Sequence, residues 1–115
     1  GFKALPAVLI YGLFQTSLPE ELLFRGFLLK RLASRLSFVV ANTIQAALFG
    51  LLHGLMFITV LSWQQTLLII LCTGGIAAYM GFVNEKKSDG SILASWIIHA
   101  LANVITGTLS AFMLI

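Results

Sequence analysis

The chain has 115 residues, enough for one domain, with 59% hydrophobic and only 10% charged side chains. A soluble domain carries about 25% charge, and a mean hydropathy of +1.01 excludes that class. The formal net charge of +3 comes from basic residues placed where membrane topology would want them, and it gives no ground for a nucleic-acid partner.

The start, "GFKALPAV", lacks an initiator Met and has no small-residue cleavage site after its apolar run, so it does not read as a signal peptide. Residues 1–115 are expected to be a single membrane core belonging to a longer protein. Leu36 to Asn84 contains no Asp, Glu, Lys or Arg, and neither does Gly90 to Ile115. A helix needs roughly 20 mostly apolar residues to cross a hydrocarbon core of about 30 Å. The pattern predicts an all-α, polytopic transmembrane bundle of about four helices.

Helix A covers about 4–33. Ser17, Pro19 and Glu20 fit a fresh helix start, with Ser as N-cap, Pro in the first turn and Glu at N3. A continuous helix bent at Pro19 fits equally well. Helix B is expected over about 38–60, helix C over 64–83 and helix D over 91–113. Gly50 and Gly54 form a small-xxx-small pair suited to close helix approach, and Gly74, Gly75 and Gly81 are read the same way. Cys72 is the one cysteine, which excludes an intrachain disulfide and leaves a small apolar packing residue. Trp63 and Trp96 read as interface anchors.

Lys30, Arg31 and Arg35 follow helix A, and Lys86 and Lys87 follow helix C. Both clusters then fall on one side of the membrane, which the positive-inside rule makes cytoplasmic. An integral, multi-pass protein of the cell membrane is the expected location, with the lipid bilayer as its surroundings.

In so apolar a chain, "SLPEELLFRG" sets three ionisable groups inside helix A. A charge near the bilayer centre costs about 2.5–3.5 kcal/mol, so it marks a functional site by default when a partner can be named. Glu20 precedes Lys30 by ten residues, which puts it roughly 15 Å from the cytoplasmic end. Glu21 and Arg25 are four apart and can neutralise each other. Glu20 is turned about 100° from Glu21, and its own i+4 neighbour is Phe24. Its prospective partners are the two histidines, His53 and His99, with Asn103 one turn beyond His99. A carboxylate and imidazoles facing one cavity could deprotonate a water, and Asn103 with His99 could donate to an oxyanion. Glu20, His53 and His99 are also a hydrolytic zinc-ligand set, although their spacing is not H-E-x-x-H. The sequence leaves a zinc and a metal-free mechanism equally open. By rise along each axis, His99 and Asn103 bracket the depth of Glu20, at about 12 and 18 Å, while His53 lies deeper, at about 24 Å.

"EELLFR" (Glu20–Arg25), "FGLLH" (Phe49–His53) and "HALAN" (His99–Asn103) resemble the EExxxR, FxxxH and HxxxN/D motifs of the CPBP intramembrane proteases. This is the CAAX-processing and bacteriocin-processing (Abi) family, which includes the Ras-converting CAAX endopeptidase and lysostaphin-resistance-type proteins. The resemblance spans roughly residues 14–112. It implies an endopeptidase acting on a membrane-associated peptide or protein. Glu20 and His53 would activate water, His99 and Asn103 would bind or stabilise the tetrahedral intermediate, and Glu21, Arg25 and Phe49 would support them. The family was named as metalloproteases; a metal, if used, would sit on Glu20, His53 and His99.

The alternative is a non-catalytic bacteriocin-immunity or scaffold protein on the same bundle. A proton or ion pathway through Glu20 and the histidines is a third reading. A serine protease built on Ser95, His99 and Asn103 lacks a G-x-S-x-G and has poor geometry on one helix. Asp89, the only Asp, sits in a loop, which removes an aspartyl protease.

Overall fold

The computed structural model describes residues 1–112. The last three residues, including Met113 at the predicted end of helix D, lie outside that range. The described residues form four helices and no strand: α1 (residues 5–33), α2 (Phe38–Leu55), α3 (Trp63–Lys87) and α4 (Leu93–Ala111). The last three are long and apolar enough to cross a membrane. α1 is longer still, but its turns alternate between α and wider π geometry, and it carries Glu20, Glu21 and Arg25.

Those π turns have a cause in the sequence. Pro19 has no N–H and its ring crowds the carbonyl four residues back, so the helix widens over Tyr11–Ser17 instead of stopping. Ser17 is therefore helical (φ −69, ψ −44), not the N-cap that one reading expected. Its hydroxyl instead donates back to the carbonyls of Gly12 and Leu13. A second wide segment, Leu22–Leu28, contains Arg25.

α2 starts on Ser37, whose Oγ accepts the Val40 N–H at 3.3 Å. It ends at Leu55, short of the expected residue 60, because the chain turns through residues 56–61 to reach Ser62. There a capping box between Ser62 and Gln65 starts α3. A turn with Gly90 at φ +80 leads to α4. The first turn of α4 is capped from α3, since the Ser95 N–H donates to Asn84 Oδ1 at 3.0 Å.

α2 and α3 form the tightest pair, α1 packs along α4, and the two pairs join through the second half of α1 against α2. Gly50 and Gly54 permit the α2–α3 approach. A Cβ on Gly50 would lie 2.6 Å from the Ile70 carbonyl oxygen, and one on Gly54 would strike the Ile70 side chain. Gly75 departs from expectation, with nothing within 4 Å of a built Cβ. Gly50→Ala should therefore lower stability by about 1–3 kcal/mol through overpacking, while Gly75→Ala should not. Thermal unfolding in detergent checks the pair.

The interior inverts the pattern of a soluble domain. Among the described residues, buried polar side chains (Ser17, Glu21, Arg25, Asn42, Gln45 and others) are as frequent as buried apolar ones. Large apolar residues such as Leu23, Phe27, Leu51, Leu71 and Ile105 face outward. Lipid tails solvate these faces, and polar groups must find partners inside. This is an all-α membrane bundle. Lys30 Nζ donates to Glu85 at 2.7 Å, and Lys86 lies 4.7 Å over the Phe38 ring. Both basic clusters therefore occupy one end of the bundle.

Candidate active site

Three helices deliver the site. Glu20 and Glu21 come from α1, Phe49 and His53 from the second half of α2, and His99 and Asn103 from the middle of α4. The acid that helix A could not neutralise meets both histidines: Glu20 Oε2 is 3.7 Å from His53 Nε2, and Glu20 Oε1 is 3.6 Å from His99 Nε2. Axial counting had set His53 deeper than Glu20, yet the two side chains meet across the bundle.

The other ring nitrogens fix the tautomers. His53 Nδ1 is 2.8 Å from the Phe49 carbonyl oxygen, which can only accept, so Nδ1 carries the proton. His99 Nδ1 is 2.6 Å from Glu21 Oε2 and donates to that carboxylate. Each imidazole thus turns its Nε2 toward Glu20. Both ring nitrogens lie beyond direct hydrogen-bond distance of the carboxylate, one beside each of its oxygens. A water molecule in the adjoining cavity can reach a carboxylate oxygen of Glu20 and a ring nitrogen together.

Glu21 and Arg25 form the predicted pair, and it is fully buried. Arg25 Nε donates to Glu21 Oε1 at 2.7 Å, and Nη2 donates to Oε2 in the fork geometry of a bidentate bridge. Glu21 is thus more than a brace, since it links Arg25 to His99 and sets the imidazole's orientation. Phe49 sits between these groups. Its ring lies 4.3 Å from the His53 ring, 5.8 Å from the His99 ring, and 4.4 Å beneath the Arg25 guanidinium. One aromatic side chain packs both imidazoles and gives the cation a π face.

Asn103 faces the same space, but its Nδ2 donates to Thr16 Oγ1 at 2.7 Å. That tie leaves one amide hydrogen for a ligand. Thr16 was not anticipated as part of the site. Neither was Gln45, which is fully buried, accepts from Arg25 Nη1 at 3.3 Å and donates to Asn42 and to the Ala77 carbonyl. The signal for Gln45 was present in "ANTIQAALFG": Asn42 and Gln45, three apart on one face of an apolar helix.

Two cavities meet at the histidines. One, about 570 Å³, runs from Glu20, His53, His99 and Asn103 past Thr16 and Thr106 to Ser110. The other, about 200 Å³, opens between α3 and α4 against Cys72, Ile76, Met80 and Ile98. Cys72, expected as a small apolar packing residue, is exposed there. Trp96 also differs from a simple interface anchor. It is half-buried, and its Nε1–H donates to the Leu13 carbonyl at 2.8 Å, fastening α4 to the wide turn of α1. Trp63 is exposed at the start of α3.

Among the described residues, no three His, Cys, Asp or Glu side chains are grouped as a metal-ion site requires. The chemistry available from the side chains themselves is base catalysis on a water, with amide and imidazole donors nearby.

Neither the curated proteins nor the solved structures include a match to this sequence. The family model described as type II CAAX prenyl endopeptidase, Rce1-like, matches residues 2–105, from before α1 to within α4. That span contains every side chain of the Glu20–His53–His99–Asn103 constellation, and on it the chain belongs to the Rce1-like family of type II CAAX prenyl endopeptidases.

Proposed function

We propose that the protein is an intramembrane endopeptidase that hydrolyses a peptide bond of a membrane-associated peptide or protein, using a water activated by Glu20 and His53. The observation that carries this reading is that Glu20 faces both histidines in one cavity, with one carboxylate oxygen 3.7 Å from His53 Nε2 and the other 3.6 Å from His99 Nε2. The water gives a proton to this base pair as its oxygen attacks the scissile carbonyl. The tetrahedral oxyanion takes a hydrogen bond from Asn103 Nδ2. The Glu21 carboxylate at His99 Nδ1 holds that ring beside the reacting groups. Collapse of the intermediate breaks the C–N bond, and the proton held by the base pair passes to the leaving amine.

No step is routed through a metal. The basic loops around Lys30–Arg35 and Lys86–Lys87 face the cytoplasm in this reading. The decisive experiment is cleavage of membrane-anchored peptides by the purified protein, with and without a chelator. Chelator-insensitive cleavage is expected. Loss of activity with chelator and its return with zinc would replace the metal-free mechanism. Failure to cleave any peptide, with bacteriocin protection intact in cells, would favour the non-catalytic immunity role.

A further inference from the structure

Asn103 can stabilise an oxyanion only if its amide presents nitrogen and not oxygen, and the two ends of a primary amide have nearly the same shape. Among the described residues its side chain makes one hydrogen bond, from Nδ2 to Thr16 Oγ1 at 2.7 Å. Thr16 comes from α1 and Asn103 from α4, and both line the cavity that holds Glu20, His53 and His99.

A hydroxyl can donate or accept, so contact with Thr16 does not by itself fix which end of the amide faces it. The Thr16 proton, however, is already committed. Its Oγ1 donates to the Tyr11 carbonyl at 3.1 Å, and a carbonyl can only accept. What Thr16 offers Asn103 is therefore a lone pair, which only the Nδ2 end of the amide can satisfy. The bond to Tyr11 belongs to the widened turn of α1. Thr16 reaches back five residues, as Ser17 does to Gly12, whereas Thr43 in the regular helix α2 reaches back four, to Val39 at 2.7 Å. Tyr11–Ser17 is the segment that widens ahead of Pro19.

We infer that Thr16 is a positioning residue for the hydrolysis: the wide turn of α1 aims its lone pair at Asn103 and keeps the donor end of that amide toward the oxyanion. This rests on the protease reading above for the oxyanion, and on the two hydrogen bonds alone for the orientation of the amide. Thr16 acts through Asn103 and exchanges no proton with the substrate. Without its hydroxyl the amide is free to turn over, and its oxygen would then repel the charge that its nitrogen binds.

Thr16→Val removes the hydroxyl and keeps the branched shape, while Thr16→Ser keeps the hydroxyl. Thr16→Val should lower kcat about 10-fold with KM unchanged, between the roughly twofold cost of free flipping and the about 10²–10³-fold cost of losing an oxyanion donor. Thr16→Ser should recover most of that rate. On an Asn103→Ala background Thr16→Val should cost nothing further, since no amide is left to orient. A native kcat for Thr16→Val, an effect confined to KM, an equal loss in Thr16→Ser, or full additivity with Asn103→Ala overturns the inference. A second measurement needs no cleavage. The chain has three asparagines, Asn42, Asn84 and Asn103, so isotope labelling of asparagine alone resolves three side-chain amides by NMR in detergent, and Asn103→Ala identifies its own. Hydrogen exchange at the Asn103 amide should speed up several-fold in Thr16→Val and not in Thr16→Ser; an unchanged amide in Thr16→Val overturns the inference. The expected amide response in a protein without Glu20-dependent cleavage would refute the protease reading and leave the orientation of Asn103 by Thr16 standing.

Discussion

Glu20→Gln should lower the cleavage rate by about 10²–10⁴-fold, the range general-base groups supply, with little change in unfolding temperature. The two halves of that expectation have different sources. Glutamine keeps the shape of the side chain but cannot take a proton from water, so the base is lost. The native carboxylate is partly exposed to the cavity, with side-chain exposure of 32%, and meets the histidines only at 3.6 and 3.7 Å. Little folding energy rests on contacts that long. His53 would remain beside the cavity, held by the Phe49 carbonyl, so a small residual rate is consistent with the mechanism. A variant that folds and cleaves like the native protein would remove Glu20 from the chemistry.

Arg25→Leu should do the opposite and destabilise the bundle by about 3–5 kcal/mol, the cost of leaving one member of a buried ion pair alone. Arg25 is fully buried, grips Glu21 through two nitrogens, reaches Gln45 with a third and stacks on Phe49. Removing it strands the Glu21 carboxylate inside the bundle with only His99 for compensation. Lysine should not rescue the variant, because a point charge cannot reproduce the planar fork. Replacing Glu21 and Arg25 together by leucine should recover much of the lost stability without recovering activity, since His99 then loses the acceptor at its Nδ1. Thermal unfolding in detergent, read beside the cleavage rate, separates the two effects. Equal unfolding temperatures for Arg25→Leu and the native protein would contradict the buried bridge.

The pairing of Glu21 with Arg25 was legible before any coordinates, because four residues along a helix fix a common face. So was the oddity of Glu20, from the absence of a basic residue at the same spacing. The break expected at Ser17 was one of two allowed outcomes. The choice between them depended on whether α4 would support a widened turn, as the Trp96 N–H at the Leu13 carbonyl does. Gly75 and Cys72 were misjudged for a related reason: composition marks a residue as small, but the crossing of helices decides whether a neighbour lies over it. Gln45 and Thr16 escaped notice because their partners, Arg25 and Asn103, are 20 and 87 residues away in the chain.

The sequence by itself determined the solvent, the all-helical bundle and which polar residues stand out as candidates for the site. Hydropathy is a property of residue types, and the cost of a charge in lipid makes each exception informative. Tertiary structure alone decided which way those groups face: that His53 and His99 both turn Nε2 to Glu20, that Glu21 fastens His99 to Arg25, and that Glu20, His53, His99 and Asn103 line one cavity. The physical reason is range. Helical periodicity relates residues within a few turns, whereas a catalytic angle between three helices is set by their side-chain packing, here by Phe49 and the close approach at Gly50.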